Sequence, residues 1–351
     1  MFAITIPPVD RAAARTAHER ICQLTKPVGS LGRIEELAEW LAAIHGGAPP
    51  SPYERRAIVV GAGDHGVTAE GVSAYPSEVT PQMVGAFVGG FAAINAFARV
   101  ARAEVFVANF GVAAPLPKHS RLYDVPVALG TRNFAREAAM TQEQMYAALA
   151  AGVDVFTRLR GRFDPQIVAL GDMGIGNTTS AAALICALTG ASAEDVVGRG
   201  TGVDDDGLRR KVSVVANAVA RVKGATWETV ASELGGFEIL GLAGVLLEAA
   251  RSRVPIILDG FIVASAALIA RSIAPTAIEY CIAAHRSREA GHAIALRALG
   301  LVPLFDLDLR LGEASGAALA FPLCEAAARM YAEMKTFAEA GVSEAHEPVE
   351  A

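Results

Sequence analysis

The sequence predicts an α/β fold: a three-layer, Rossmann-like, mostly parallel six-stranded sheet, with a small helical subdomain from the two chain ends. Three observations lead there. Six short apolar runs alternate with Ala-rich helical stretches, the pattern of a parallel sheet covered on both faces. Each run ends in a cluster of Gly with Asp, Glu, His or Asn, the chemistry expected where parallel strands hand over to helices at the ligand-facing edge. The 351 residues are 52% hydrophobic but only 6% aromatic, so the core is expected to be Ala, Val, Leu and Ile.

Along the chain, Leu31, Ile34, Leu37, Ala38, Leu41 and Ile44 follow helical spacing until Gly46-Gly47-Ala48-Pro49-Pro50-Ser51-Pro52 stops them. Residues 1–50 therefore read as the N-terminal part of the helical subdomain. Residues 55–322 read as the α/β catalytic domain, with strands expected at 57–60, 104–108, 167–170, 254–258, 278–283 and 302–307. Residues 323–342 supply the C-terminal helical part, with Leu323, Ala326, Ala327, Met330, Met334 and Phe337 on one stripe. The acidic stretch 343–351 is expected to be a disordered tail.

The net charge of −6 gives no general attraction to phosphate backbones, and no Lys/Arg run interleaved with aromatics occurs, so a nucleic-acid partner is not expected. Cys22, Cys186, Cys281 and Cys324 are far apart, which points to burial as small hydrophobes in a reducing compartment. The start of the chain has no signal-peptide pattern. Apolar stretches such as 239–247 and 261–270 fall short of the roughly 20 residues that span a bilayer. The expectation is a cytoplasmic protein without a membrane segment.

The strand-end loops carry the polar chemistry. Gly61-Ala62-Gly63-Asp64-His65-Gly66-Val67 offers Asp64 and His65 among glycines. They read either as ligand-facing groups or as a buried hydrogen-bonded pair stiffening the loop. The histidines are scattered, so no metal site is expected. Gly171-Asp172-Met173-Gly174-Ile175-Gly176-Asn177-Thr178-Thr179-Ser180 is a strand, a Gly-rich turn and a helix start. Such a start suits a phosphate, or is simply a well-capped helix packed close to a strand. It is neither a P-loop nor GxGxxG. Gly198-Arg199-Gly200-Thr201-Gly202 precedes Lys211, a second phosphate candidate. Asp205 and Asp206 are expected to pair with Arg209 and Arg210 at four-residue spacing. Asp259 and Ser287 could line the same crevice or cap the helices that follow.

Arg310-Leu311-Gly312-Glu313-Ala314-Ser315-Gly316 is the most informative stretch. A Gly-flanked carboxylate at an apolar strand-to-helix junction would be partly desolvated, which moves its pKa toward that of a general base. The alternative for Glu313 is a helix-start residue favoured by the dipole.

In order along the chain, Lys26-Pro27-Val28-Gly29-Ser30-Leu31-Gly32-Arg33, Gly63-Asp64-His65-Gly66-Val67, Met173-Gly174-Ile175-Gly176-Asn177-Thr178-Thr179, Gly198-Arg199-Gly200-Thr201-Gly202, Leu258-Asp259-Gly260-Phe261-Ile262 and Leu311-Gly312-Glu313-Ala314-Ser315-Gly316-Ala317-Ala318-Leu319 resemble one family. The family is the nicotinate-nucleotide:dimethylbenzimidazole phosphoribosyltransferases of cobalamin lower-ligand biosynthesis, and the resemblance covers roughly residues 10 to 335. It implies transfer of 5-phosphoribose from nicotinate mononucleotide to 5,6-dimethylbenzimidazole, with inversion at the anomeric carbon, no cofactor, and a homodimer. The family's general base falls on Glu313. The nucleotide falls on Asp172, Gly174, Ile175, Gly176, Asn177, Thr178, Gly200, Thr201, Gly202, Lys211 and Ser287.

The base pocket falls on Tyr75, Gln82, Met83 and Leu311. Two positions depart from the family pattern: Asp172 stands where Glu is usual, and Asn109 where relatives commonly carry Asp. Two other readings stay open. A nucleotide-dependent oxidoreductase would reveal itself by tight NADH binding, although Asp64 and His65 interrupt its helix start. A non-catalytic nucleotide-binding relative would bind substrates without forming product, and the intact Glu313 argues against it.

Overall fold

The computed structural model describes residues 4–200 and 202–343. They divide into two compact units. One comprises the chain through Pro7 and Arg55–Ala320; the other comprises Pro8–Glu54 and the chain from Phe321 onward. Residues 344–351, most of the expected tail, lie outside the described residues.

The larger unit is built on one six-stranded sheet: β1 (Arg56–Gly63), β2 (Glu104–Gly111), β3 (Leu122–Asp124), β4 (Ile167–Met173), β5 (Ile256–Leu258) and β6 (Cys281–Ala283). The order is β3-β2-β1-β4-β5-β6 and every neighbouring pair is parallel. Strand β1 is buried along its whole length, as a strand covered on both faces must be. From β1 the chain builds outward to β2 and β3 on one side and to β4, β5 and β6 on the other. That reversal between β1 and β4 opens a crevice at their carboxyl ends, where such sheets bind ligands.

Close backbone approach holds the covering layer in place. Helix Gln142–Phe163 crosses helix Phe237–Arg251 so tightly that a Cβ on Gly152 would lie 1.9 Å from the Gly241 carbonyl oxygen, and one on Gly244 would lie 2.1 Å from that of Leu149. Any side chain at these positions would force the helices apart.

Six strands form, but not the six expected. Residues 302–307 make no strand; only Phe305 bridges, to His285. Pro303 cannot donate to a ladder, and the segment is half-exposed or exposed throughout, which a strand of this sheet cannot be. The sixth strand is β3, a three-residue edge that no apolar run announces. Of the expected run 278–283, only Cys281–Ala283 is extended, because Pro275–Tyr280 closes into a 3₁₀ turn.

In the smaller unit, helices Arg11–Gln23 and Arg33–His45 pack together, the second ending at Gly46 in the left-handed conformation. Lys26 and Glu35 form a buried ion pair at 2.8 Å across the Lys26–Arg33 motif. The last long helix, Ser315–Glu333, starts earlier than the sequence suggested and runs through Pro322. Its buried side chains beyond Ala320 are Phe321, Cys324, Ala327, Ala328 and Met330, whereas Ala326 is exposed and Met334 lies past its end. Cys186, Cys281 and Cys324 are buried, but Cys22 is half-exposed with Sγ 3.6 Å from His18 Nε2. The segment Val79–Ala101 has the length and mean hydropathy, 1.5, of a bilayer span, which the sequence reading passed over. It forms two helices, Val79–Gly89 and Ala93–Ala101, broken at Gly90.

Candidate active site

The carboxyl ends of β4, β5 and β6, with the turn before Ser315, enclose a cavity of about 420 Å³. One end of it is built by β4 and the helix it feeds. After Met173 the chain turns through Gly174 to Gly176 into helix Asn177–Thr189. A Cβ on Gly174 would meet the Gly63 carbonyl oxygen at 2.2 Å, and Gly176 holds φ +94°, so both positions require glycine. The Ile175 N–H donates to Thr80 Oγ1 at 3.1 Å, which fixes the turn. No side chain caps this helix, leaving its N-terminus disposed toward an anion.

Beside it, Lys211 is almost fully buried and donates to Thr178 Oγ1 at 2.7 Å and to the Gly198 carbonyl at 3.2 Å. Two of its three ammonium protons are thus committed. Burial pushes its pKa down to about 8, with Glu289 opposing the shift. Ser287 faces the cavity, and its N–H donates to His292 Nδ1 at 2.9 Å. Burial, aided by His285, pushes the His292 pKa down to about 3, so that ring stays a neutral acceptor.

Three carboxylates gather at the other strand ends. Glu313 stands in a turn whose residues Gly312, Glu313 and Ala314 all have positive φ, +85°, +63° and +66°. Two consecutive non-glycine residues in this region cost about 1–3 kcal/mol each and persist only where neighbours over-determine them. Here the Glu313 N–H donates to the Asp172 carbonyl at 3.2 Å and the Ser315 N–H to that of Gly312 at 3.0 Å. Glu313 Oε2 is buried without a hydrogen-bond partner. Burial raises the Glu313 pKa, the Ile94 backbone N–H at its carboxylate opposes the shift, and the Asp259 charge adds to it.

Asp172 accepts from Asn177 Nδ2 at 2.9 Å through Oδ2, while Oδ1 has no partner. Burial holds its pKa well above the carboxylate range, and Asp259 reinforces this against the Asn177 hydrogen bond. Asp259 is a helix cap, but not of helix Phe261–Ile273 that follows it. Its Oδ1 accepts from the Ala317 N–H at 2.9 Å, at the start of Ser315–Glu333, with His285 Nε2 3.5 Å away.

Of the residues singled out in the sequence, Asp172, Gly174, Ile175, Asn177, Thr178 and Gly200 line the cavity. So do Ser287, Glu313, Tyr75, Met83 and Leu311. Lys211 and Asp259 stand one layer behind, each bonded to a group at the wall or at the turn. Gly176 and Gly202 shape backbone without lining it, Gln82 is exposed off the wall, and Thr201 lies outside the described residues. Asp64 and His65 are buried and bond separately rather than to each other. Asp64 Oδ2 accepts from the Ala113 N–H at 2.8 Å, and His65 Nε2 lies 2.7 Å from Glu238 Oε1.

Asp205 and Asp206 are paired, but with Arg199 and Arg209 respectively; Arg210 reaches the Gly71 carbonyl instead. Asn109 joins β2 to β3 by donating to Asp124 Oδ1 at 2.7 Å while accepting from the Gly111 and Val112 N–H groups. The stretches 258–261 and 285–292, expected in the crevice, do line it through Phe261, His285 and Glu289, none of which was singled out by itself. Arg310, at the start of the Glu313 stretch, was given no role, and Glu238, against His65, was missed. A lone acid in the apolar run Phe237-Glu238-Ile239-Leu240 was the signal for Glu238.

A family model described as "Phosphoribosyltransferase" matches residues 6–342. The nicotinate-nucleotide–dimethylbenzimidazole phosphoribosyltransferase of Chloroflexus aggregans is 48% identical over 346 residues, 97% of each chain. That of Roseiflexus sp. is 50% identical over 342 residues, 96% of each. A crystal structure of the Thermus thermophilus enzyme of the same name superposes with a TM-score of 0.91 at 48% identity, covering 96% of this chain and 100% of that one. Similarity of this extent, over both units and every motif of the cavity, means that the chain belongs to the nicotinate-nucleotide–dimethylbenzimidazole phosphoribosyltransferase family and is an enzyme that transfers a phosphoribosyl group.

Proposed function

We propose that the enzyme transfers 5-phosphoribose from nicotinate mononucleotide to 5,6-dimethylbenzimidazole, giving α-ribazole 5-phosphate and nicotinate, with Glu313 as general base. The observation that carries this reading is the unpartnered, buried Oε2 of Glu313 on the wall of a cavity that also holds an uncapped helix start. The phosphate sits at Gly174–Thr178 and Gly200, with Lys211 behind them supplying the charge. The benzimidazole lies against Tyr75, Met83 and Leu311, its N–H toward Glu313.

As the other ring nitrogen forms its bond to the anomeric carbon, Glu313 takes the N–H proton. The bond to the pyridinium nitrogen breaks, its electron pair leaves with nicotinate, and attack opposite the leaving group inverts the carbon. A pyridinium is already a good leaving group, so positioning and one base suffice, and no cofactor enters. Asp172, whose pKa burial raises, can in its protonated form donate a hydrogen bond to the ribose. A cytoplasmic homodimer accompanies this reading.

Nicotinate release is expected only when both substrates are present; release with the nucleotide alone would make the protein a hydrolase and overturn the reading. Lys211 adds a pH signature. Its ammonium is charged below its pKa of about 8, so kcat/KM for the nucleotide should fall as pH rises through that value. Lys211→Met should abolish that limb and raise KM. A flat profile between pH 7 and about 9 would remove Lys211 from phosphate binding.

A further inference from the structure

Among the described residues, the cavity wall carries a single Lys or Arg side chain, Arg310. It lies three residues before Glu313, in the same turn. Arginines next in sequence to other wall residues are committed: Arg286 pairs with Asp306 at 2.8 Å, Arg288 with Asp308 at 3.7 Å, and Arg199 with Asp205. Arg310 has no hydrogen-bond or ion-pair partner among the described residues. The other acids of the wall are Glu289 and Glu313, beside Asp172, whose carboxyl burial pushes toward its neutral form, with Asp259 behind it. A negative group brought against this wall is repelled unless a cation meets it.

The proposed donor, nicotinate mononucleotide, carries two negative groups. Its phosphate has the Asn177 helix start and Lys211. Its ring carboxylate has neither, and a guanidinium with an open fork matches a carboxylate in bidentate geometry. We propose that Arg310 binds the ring carboxylate of the donor nucleotide and thereby selects nicotinate over nicotinamide nucleotides. The inference rests on the donor assigned above. It makes Arg310 a specificity residue: it grips the leaving group, while Glu313, three residues on, serves the acceptor.

The test uses Arg310→Met and Arg310→Lys in the full chain, with nicotinate and nicotinamide mononucleotides as alternative donors at saturating dimethylbenzimidazole. Arg310→Met should lower kcat/KM for the nicotinate donor by roughly 10- to 100-fold, chiefly through KM, while changing that for the nicotinamide donor by less than about twofold. Arg310→Lys, a point charge without the fork, should recover part of the loss. An equal loss on both donors would assign Arg310 to the phosphate or to the fold, and unchanged discrimination would leave it no role; either overturns the proposal. Calorimetric titration of wild type and variants with free nicotinate and free nicotinamide reads the same preference without turnover. Absence of ribotide with the wild type therefore counts against the proposed function. A nicotinate preference that survives in both variants counts against Arg310.

Discussion

Replacing Glu313 by Gln is expected to lower kcat by about 10²–10⁴-fold, the contribution typical of one positioned general base, with little change in nucleotide binding. Gln keeps an oxygen to accept the Ile94 N–H but cannot take a proton, so the variant separates the chemistry from the architecture. Steady-state kinetics with nucleotide affinity measured in parallel checks this, and near-wild-type kcat would remove the base assignment. The wild-type profile should carry the same signature. Because burial and the Asp259 charge raise the Glu313 pKa, the acid limb of kcat/KM should lie above the ordinary carboxylate range and disappear in Glu313→Gln. Asp259→Asn retains an oxygen for the Ala317 N–H yet removes the charge, and should move the limb to lower pH.

Gly171→Ala should be nearly as damaging, although Gly171 contributes no chemistry. A Cβ there would lie 2.1 Å from the Ala314 nitrogen and 2.5 Å from the Glu313 carbonyl carbon. Both are backbone atoms of the strained turn, so the turn itself must move. A displacement near 1 Å in a reacting group costs on the order of 10²-fold in rate, and overpacking costs about 1–3 kcal/mol of stability. Gly161→Ala is the control: nothing lies within 4 Å of its Cβ position, and alanine in that helix should stabilise by about 0.5–1 kcal/mol. Kinetics and thermal melts of the pair decide the matter. A Gly171→Ala enzyme as active as wild type would mean that Glu313 need not be held where this turn puts it.

The parallel sheet was legible because strands buried on both faces must be continuous apolar runs, and 57–60, 104–108 and 167–170 are such runs. Residues 302–307 were misread because an apolar run with a proline looks the same whether it pairs or drapes over a strand end. Strand β3 escaped notice for the opposite reason: a three-residue edge needs no hydrophobic signature. Within the site, the Gly-rich helix start was visible because its backbone geometry demands glycine, and Glu313 because it is a lone carboxylate beside a glycine in an otherwise apolar stretch.

What the sequence concealed is partnership across distance. Asp259 caps a helix that begins more than 50 residues later, and His65 is held by Glu238 from another helix. Neither pairing leaves a trace in local spacing. The left-handed conformation at Glu313 and Ala314 was hidden as well, since it contradicts local preference and is imposed by the neighbouring strand.

Phosphoribosyl transfer to a benzimidazole nitrogen is open to direct assay: incubation of the protein with nicotinate mononucleotide and a panel of purine, phenolic and benzimidazole acceptors, followed by mass detection of products. Free nicotinate and a ribotide of dimethylbenzimidazole are expected, formed in equal amounts and only when both substrates are present. Absence of a ribotide with every acceptor would overturn the assignment of this cavity to phosphoribosyl transfer onto a base.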